Sequence, residues 1–211
     1  MRLGADSFEQ MYRAAEDPWG LATRWYEQRK HALTLAALPK PRYRRAFEPG
    51  CSVGVLTALL ARRCGSLLSF DVAGTAVARA RARTAELANV EIRQAAVPEE
   101  WPEGSFDLIV LSEVGYYLDA SSMAELARLV GSSLDDGGTV VAVHWRPRVP
   151  EYLLDADTVH QLLREGSGLV TMSSVVDPLF RLEVMVGPDC PGPGPEDPPV
   201  PLLPSRDPFL E

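Results

Sequence analysis

The 211 residues leave room for one ordinary domain with its own core, and 46% hydrophobic with 24% charged residues is the composition of a soluble globular protein. A formal charge of −8 argues against DNA or RNA as the main partner, because phosphate repels an acidic surface. No apolar run approaches the roughly 20 residues that span a bilayer, so no membrane association is expected. The start, Met1-Arg2-Leu3-Gly4-Ala5-Asp6, has no secretory apolar stretch, and Cys51, Cys64 and Cys190 form neither a disulfide framework nor a zinc ligand set. A cytoplasmic location fits these features.

Apolar residues at helical spacing (Leu21, Trp25, Leu33, Ala36, Ala37) predict a helix from Leu21 to Leu38 that stops at Pro39. The basic run Lys40-Pro41-Arg42-Tyr43-Arg44-Arg45 reads as a solvated approach to the first strand. Strands are then expected at Arg45–Glu48, Leu67–Asp71, Val90–Arg93, Phe106–Leu111 and Thr139–His144. Helices fall between several of them at Val53–Arg63, Ala73–Leu87 and Ser121–Leu134. This alternation implies parallel pairing through right-handed crossovers, an α/β doubly wound, Rossmann-like sheet. Arg146-Pro147-Arg148-Val149-Pro150 is a break, followed by a helix near Asp157–Arg164. Two β-like runs follow, Leu169–Val176 and Phe180–Val186, joined at Asp177-Pro178 tightly enough for a hairpin, which predicts an antiparallel strand at one sheet edge.

Gly187–Glu211 holds half of the 18 prolines and cannot supply a donor ladder or a core, so it reads as a flexible tail. The chain divides into a helical N-terminal lid (1–40), a core (41–186) and this Pro-rich tail (187–211).

Ligands of doubly wound folds lie outside the carboxyl ends of the strands, and five segments fall there. Glu48-Pro49-Gly50-Cys51-Ser52-Val53-Gly54 leaves the first strand and opens a helix, with Gly50 suited to a tight turn and Gly54 to close helix–strand packing. It is not the dinucleotide fingerprint, since position 52 is Ser and the spacing fails. Glu48 would repel a pyrophosphate but not a cationic sulfonium amino acid. Asp71 ends the second strand, where a carboxylate accepts from ribose hydroxyls or caps the helix starting near Thr75. Gln94-Ala95-Ala96-Val97-Pro98 follows the third strand, with backbone amides for an adenine and Val97 to cover its face. After the fourth, Ser112 and Glu113 could meet an amino acid portion, while Asp107 reads as structural. Asp136-Gly137-Gly138 reads as a helix stop and turn before the fifth strand.

These segments together resemble the class I S-adenosylmethionine-dependent methyltransferases, and among them the nodulation-protein-S (NodS-like) group. The resemblance runs from about Phe8 to Val186. Its group marks are Asp17-Pro18-Trp19, Tyr26-Glu27-Gln28-Arg29-Lys30-His31, Glu48–Gly54 and Ser112-Glu113-Val114-Gly115-Tyr116-Tyr117-Leu118. The resemblance implies a seven-stranded sheet with the last strand antiparallel and S-adenosyl-L-methionine as cofactor. It implies that Glu48, Gly50 and Cys51 border the methionine part, with Gly54 completing the loop. Asp71 with Val72 would hold the ribose, Ala96 and Val97 would flank the adenine, and Ser112 and Glu113 would lie beside the sulfonium. Trp19, on the N-terminal segment, would close over the cofactor and keep water from the displacement. Two departures stand out: Ala95 and Ala96 occupy positions where many relatives carry an acid for the adenine amino group, and Ser52 stands where Gly is common.

Methyl transfer from a sulfonium needs alignment of the nucleophile and, where required, a proton acceptor. His144, ending the fifth strand, is the candidate base or else a histidine hydrogen-bonded at the strand end. His31 and His160 read as surface or packing residues. Tyr116 and Tyr117 could cradle a cation or sugar face, or pack one in the core and one at the surface, and Trp145 could shape the acceptor pocket. His144, His160, Asp155 and Asp157 have no tight ligand spacing, so no metal is expected. The expected reaction is methylation of a small-molecule amine, an amino sugar among the candidates. An O-methyltransferase acting on a sugar or secondary-metabolite hydroxyl and a non-catalytic nucleotide-binding protein are the alternatives. The sequence leaves the oligomeric state open.

Overall fold

A computed structural model of the chain describes residues 4–190. Of the Pro-rich segment only Gly187–Cys190 is included, so the tail reading lies mainly outside the described residues. The core is a seven-stranded sheet: β1 (Tyr43–Pro49), β2 (Cys64–Asp71), β3 (Val90–Gln94), β4 (Phe106–Ser112), β5 (Leu134–Trp145), β6 (Val170–Val176) and β7 (Phe180–Val186). Its order is β3-β2-β1-β4-β5-β7-β6. The pairings from β3 through β5 are parallel, and β7 is antiparallel to both β5 and β6. The antiparallel strand is therefore not at the edge, as the hairpin suggested, but inserted between β5 and β6. Burial explains the order: β7 is apolar and buried at Leu182, Val184 and Met185, whereas β6 carries Thr171, Ser173 and Ser174 and accepts the half-exposed edge.

Among the described residues six α-helices cover the sheet: α1 (Ala5–Ala14), α2 (Trp25–Ala37), α3 (Val55–Leu60), α4 (Gly74–Arg83), α5 (Ala120–Ser133) and α6 (Ala156–Ser167). Strand side chains alternate between two apolar layers. Ile109, Leu111, Val140 and Ala142 join Met123 and Leu126 of α5 and Val159 and Leu163 of α6. Leu108, Val110, Val141 and Val143 join Leu56 and Leu60 of α3 on the other face.

Three local readings change. The helix expected from Leu21 starts only at Trp25, because Asp17 accepts from the Leu21 and Ala22 backbone N–H groups and holds this stretch as a turn. Before it, α1 is an additional element. At Gly137-Gly138 there is no stop before a strand, for β5 already begins at Leu134 and runs through both glycines, with an irregular register opposite Phe106 and Leu108.

Candidate active site

The strand order reverses between β1 and β4, and their carboxyl ends open onto a cavity of about 630 Å³. One half is made by backbone. Leaving β1, Gly50 and Cys51 both donate their N–H groups to the Phe70 carbonyl of β2, at 2.7 and 2.9 Å. Gly50 takes φ +76°, and a Cβ there would collide with the Val114 side chain across the cleft. Gly54 also needs its bare Cα (φ +77°), but against Ala80 of α4, whose Cα would lie 2.9 Å from an added Cβ; it does not line the cavity. Ser52 adopts φ +52°, the left-handed conformation that glycine takes easily. Its N–H donates to Asp71 Oδ2 at 2.8 Å and the Ala73 N–H donates to Asp71 Oδ1 at 3.0 Å, so one carboxylate ties the loop after β1 to the turn after β2. Burial raises the Asp71 carboxyl above its ordinary value despite these donors.

Glu48 is buried at the end of β1. Its Oε2 accepts from Thr57 Oγ1 at 2.6 Å and Ser69 Oγ at 2.9 Å. Burial pushes the carboxyl up to about 7, against the pull of those two hydroxyls. The N-terminal segment lies across this half. The Tyr12 hydroxyl of α1 donates to Ser52 Oγ at 2.6 Å, and Trp19 packs edge-on against Tyr12 with centroids 5.3 Å apart. Glu9 accepts from the N–H and hydroxyl of Thr75 at the start of α4, and Arg79 donates to the Ala15 and Glu16 carbonyls. Val72, Ala96 and Val97 line the cavity beside Asp71.

The other half is made of charged side chains from distant elements. Glu113, after β4, takes φ +60°, rare for a residue with a Cβ. Its Oε1 meets Lys30 Nζ at 2.6 Å, and its Oε2 accepts from the Trp145 N–H at 3.0 Å and from the Tyr116 hydroxyl. Lys30 lies on α2 with only 2% of its side chain exposed, and also meets Glu27 Oε2 at 2.7 Å. Its ammonium sits 5.0 Å from the Tyr26 ring centroid. Burial alone would lower the Lys30 pKa, but Glu113 and Glu27 carry it above the ordinary value. Glu27 is raised by burial, against the pull of Lys30. Two carboxylates thus share one ammonium. Glu27 Oε2 and the Tyr26 hydroxyl make no hydrogen bond of good geometry, and both residues line the cavity. Around them Tyr116 and Tyr152 stack at 3.9 Å, while Tyr117 meets both edge-on and Trp145 meets Tyr26 edge-on.

Of the residues singled out from sequence, Trp19, Glu48, Gly50, Cys51, Asp71 and Val72 line the cavity, as do Ala96, Val97, Ser112, Glu113, Tyr116, Tyr117 and Trp145. Gly54 does not, being a packing glycine. His144 does not either: it is wholly buried, its Nε2 accepts from the Gly115 N–H at 3.1 Å and its Nδ1 faces His160. That lone pair is already taken, so the candidate base is corrected to a strand-end histidine bonded inside the core. His160 packs there too, whereas His31, read as surface or packing, lines the cavity while buried, and burial lowers its pKa to about 4. Tyr12, Tyr26, Glu27, Lys30 and Tyr152 are cavity residues that the sequence reading did not select. A signal was available for two of them, since Glu27 and Lys30 share one helix face with His31 at 3- and 4-residue spacing.

The doubly wound seven-stranded sheet, with acids ending β1 and β2 and a cavity at the switch point, is that of a class I methyltransferase that uses S-adenosyl-L-methionine. The nodulation protein S family model matches residues 5–170. Nodulation protein S of Sinorhizobium fredii is 34% identical over 157 residues, covering 72% of this chain and 73% of that protein. That of Rhizobium tropici is 36% identical over 132 residues, covering 61% and 55%. The N-methyltransferase NodS from Bradyrhizobium japonicum WM9, solved with S-adenosyl-L-homocysteine, superposes with a TM-score of 0.80 at 27% identity, covering 88% of this chain and 98% of that one. A Pseudomonas syringae protein of known structure is 44% identical with a TM-score of 0.69, covering 77% and 99%. The chain belongs to the nodulation protein S family. Among the described residues no helix is long and apolar enough to cross a membrane.

Proposed function

We propose that the chain methylates the amine of a small-molecule acceptor, with an amino sugar the favoured class, and that the two halves of the cavity divide the labour. The donor set of the first half fits S-adenosyl-L-methionine. Both hydrogen bonds to Glu48 go to Oε2, which leaves Oε1 for the α-ammonium, and the absence of a Cβ at Gly50 keeps the backbone open to the methionine portion. Each Asp71 oxygen accepts one backbone N–H and retains a lone pair for a ribose hydroxyl. Val72, Ala96 and Val97 offer apolar cover to the adenine, and α1 with Trp19 excludes water. When bound, this cofactor supplies a methyl group already activated on a sulfonium.

The observation that carries the amine is that two carboxylates of the second half, Glu27 and Glu113, share the single ammonium of Lys30, with Arg24 further off along the cavity wall. A second cation restores the balance, and an acceptor ammonium supplies it. Tyr26, Tyr152 and Trp145 add ring faces that favour a cation over a neutral hydroxyl. Before transfer the ammonium passes its proton to a neighbouring carboxylate, Glu27 being suited to take it because burial raises its pKa, and this frees the nitrogen lone pair for attack on the methyl group. The cavity volume suits a small molecule, and a net charge of −8 opposes a polyanion. The test is product analysis after incubation with S-adenosyl-L-methionine and either glucosamine or methyl glucoside. Methylation of the glucosamine nitrogen is expected; a methyl ether on methyl glucoside with no N-methyl product would overturn the reading.

A further inference from the structure

The cavity turn is connected to β7, along the α6 face of the sheet, by a buried chain of hydrogen bonds. The Gly115 N–H meets His144 Nε2 at 3.1 Å, His144 Nδ1 lies 3.1 Å from His160 Nε2, and His160 Nδ1 lies 2.9 Å from Glu183 Oε2. Both imidazoles are wholly buried. The chain has a donor-only group at one end and an acceptor at the other, and this fixes every proton between them. A backbone N–H can only donate, so His144 Nε2 carries the lone pair and its proton sits on Nδ1. That proton is given to His160 Nε2, so the His160 proton also sits on Nδ1 and goes to the Glu183 carboxylate.

We propose that Glu183 of β7 positions the acceptor turn from the opposite end of this chain, by locking His144 in the one tautomer that can hold Gly115. The proposal rests on the reading that residues 113–117 wall the acceptor side of the cavity. With the opposite tautomers, His144 would point an N–H at the Gly115 N–H and push the turn away. The turn needs holding. Glu113 sits at φ +60° and is fixed to β5 on both sides of His144, through its own N–H to the Val143 carbonyl at 2.8 Å and through the Trp145 N–H to its carboxylate. Gly115 is the next fixed point, and Tyr116, whose hydroxyl reaches Glu113, packs edge-on against the His144 ring.

The surrounding charges keep the relay neutral in its middle and anionic at its end. Lys30 from α2 acts electrostatically on His144, against whose ring Tyr116 packs, while Arg181 of β7 and Arg164 of α6 act on His160. Burial and these cations hold both imidazoles below their ordinary pKa. Burial would raise Glu183, but hydrogen bonds from His160 and Arg181 prevail and hold it down at about 2, with Arg164 on the same oxygen as His160 at 2.7 Å. Glu183 thus stays an acceptor whenever the protein is folded near neutral pH.

Two measurements decide it. Long-range proton–nitrogen NMR of the ¹⁵N-histidine-labelled protein with S-adenosyl-L-homocysteine should show His144 and His160 both neutral and protonated at Nδ1, with a slowly exchanging Gly115 amide. Either ring protonated at Nε2, or charged at pH 7, overturns the relay. His144→Gln keeps an oxygen able to take the Gly115 N–H, whereas His144→Met fills the space without an acceptor. With glucosamine as acceptor, kcat should stay within about threefold of the parent in His144→Gln and fall at least about tenfold in His144→Met, with S-adenosyl-L-homocysteine affinity unchanged in both. Equal losses in the two variants would reduce His144 to packing and overturn the proposal. If neither variant folds, the NMR measurement on the parent protein decides alone. If the parent does not methylate glucosamine, the acceptor reading fails instead, and the tautomers with Gly115 amide exchange still test the relay.

Discussion

The two halves of the cavity are built on different principles. Around Asp71 and Glu48, contiguous loops at neighbouring strand ends are joined by backbone N–H groups, and the only side chains needed are two acids and two hydroxyls. Around Glu113, side chains from α2, from the turn after β4 and from the end of β5 meet as one charge network. The first half is held by many individually modest bonds and the second by an ion cluster with little redundancy. Damage should therefore be graded on the cofactor side and abrupt on the acceptor side.

The largest effect should come from Lys30→Met. It removes the one ammonium that the two carboxylates share, and removing one partner of a buried pair costs about 3–5 kcal/mol. Urea unfolding should show that loss, and adding Glu27→Gln should return at least about 1 kcal/mol by removing the repulsion. A Lys30→Met protein as stable as the parent would erase the contrast between the halves.

Asp71→Ala comes next. It removes the expected ribose acceptor and strands the buried N–H groups of Ser52 and Ala73, so S-adenosyl-L-homocysteine affinity should fall by about 1.5–3 kcal/mol and stability by about 1–3 kcal/mol. Asp71→Asn, which retains one acceptor oxygen, should lose less of both. Calorimetry and denaturant unfolding separate the two effects, and unchanged affinity in Asp71→Ala would move the ribose elsewhere.

Glu48 gives a smaller, pH-dependent effect. Its folded pKa, about 7, lies above the ordinary 4.5. Its contribution to the stability of the free protein is therefore full below pH 4.5 and lost as the pH rises through 7. Binding of the ligand's ammonium requires the carboxylate and so reverses the preference, releasing a proton. Affinity for S-adenosyl-L-homocysteine should rise about tenfold between pH 6 and pH 8, and Glu48→Gln should flatten that slope. A slope that survives the substitution would detach Glu48 from the cofactor. The smallest change is expected for Tyr12→Phe. Losing the hydrogen bond from α1 to Ser52 should cost about 0.5–1.5 kcal/mol and show chiefly as faster ligand release in stopped-flow measurements.

The same contrast explains what could be read from the sequence. Glu48, Gly50 and Asp71 were visible because a strand end followed by a tight turn is a local pattern, and the alternation of strands and helices already sets where such turns converge. The group mark Tyr26–His31 was also visible, but not its inward face. A helix that turns Glu27, Lys30 and His31 towards the interior runs against the apolar periodicity by which helix faces are assigned, and only packing across α2 and β4 shows that these charges meet. His144 was correctly seen to end β5, but strand position does not tell which side a ring takes. Alternation turns it to the α6 side, where His160 waits, while the neighbouring Trp145 reaches the cavity. The β6–β7 hairpin was legible at Asp177-Pro178. Its order in the sheet depended on which strand could be buried on both faces, a difference carried by the serines and threonine of β6.

The central claim is that an excess carboxylate beside Lys30 selects an amine acceptor. Its most direct test is the KM for glucosamine in the parent and in Glu27→Gln, measured with saturating S-adenosyl-L-methionine. Losing a charged hydrogen-bond partner at about 1.5–3 kcal/mol should raise KM by about ten- to a hundredfold while S-adenosyl-L-homocysteine affinity stays the same. An unchanged KM in a folded, cofactor-binding Glu27→Gln protein would contradict the claim.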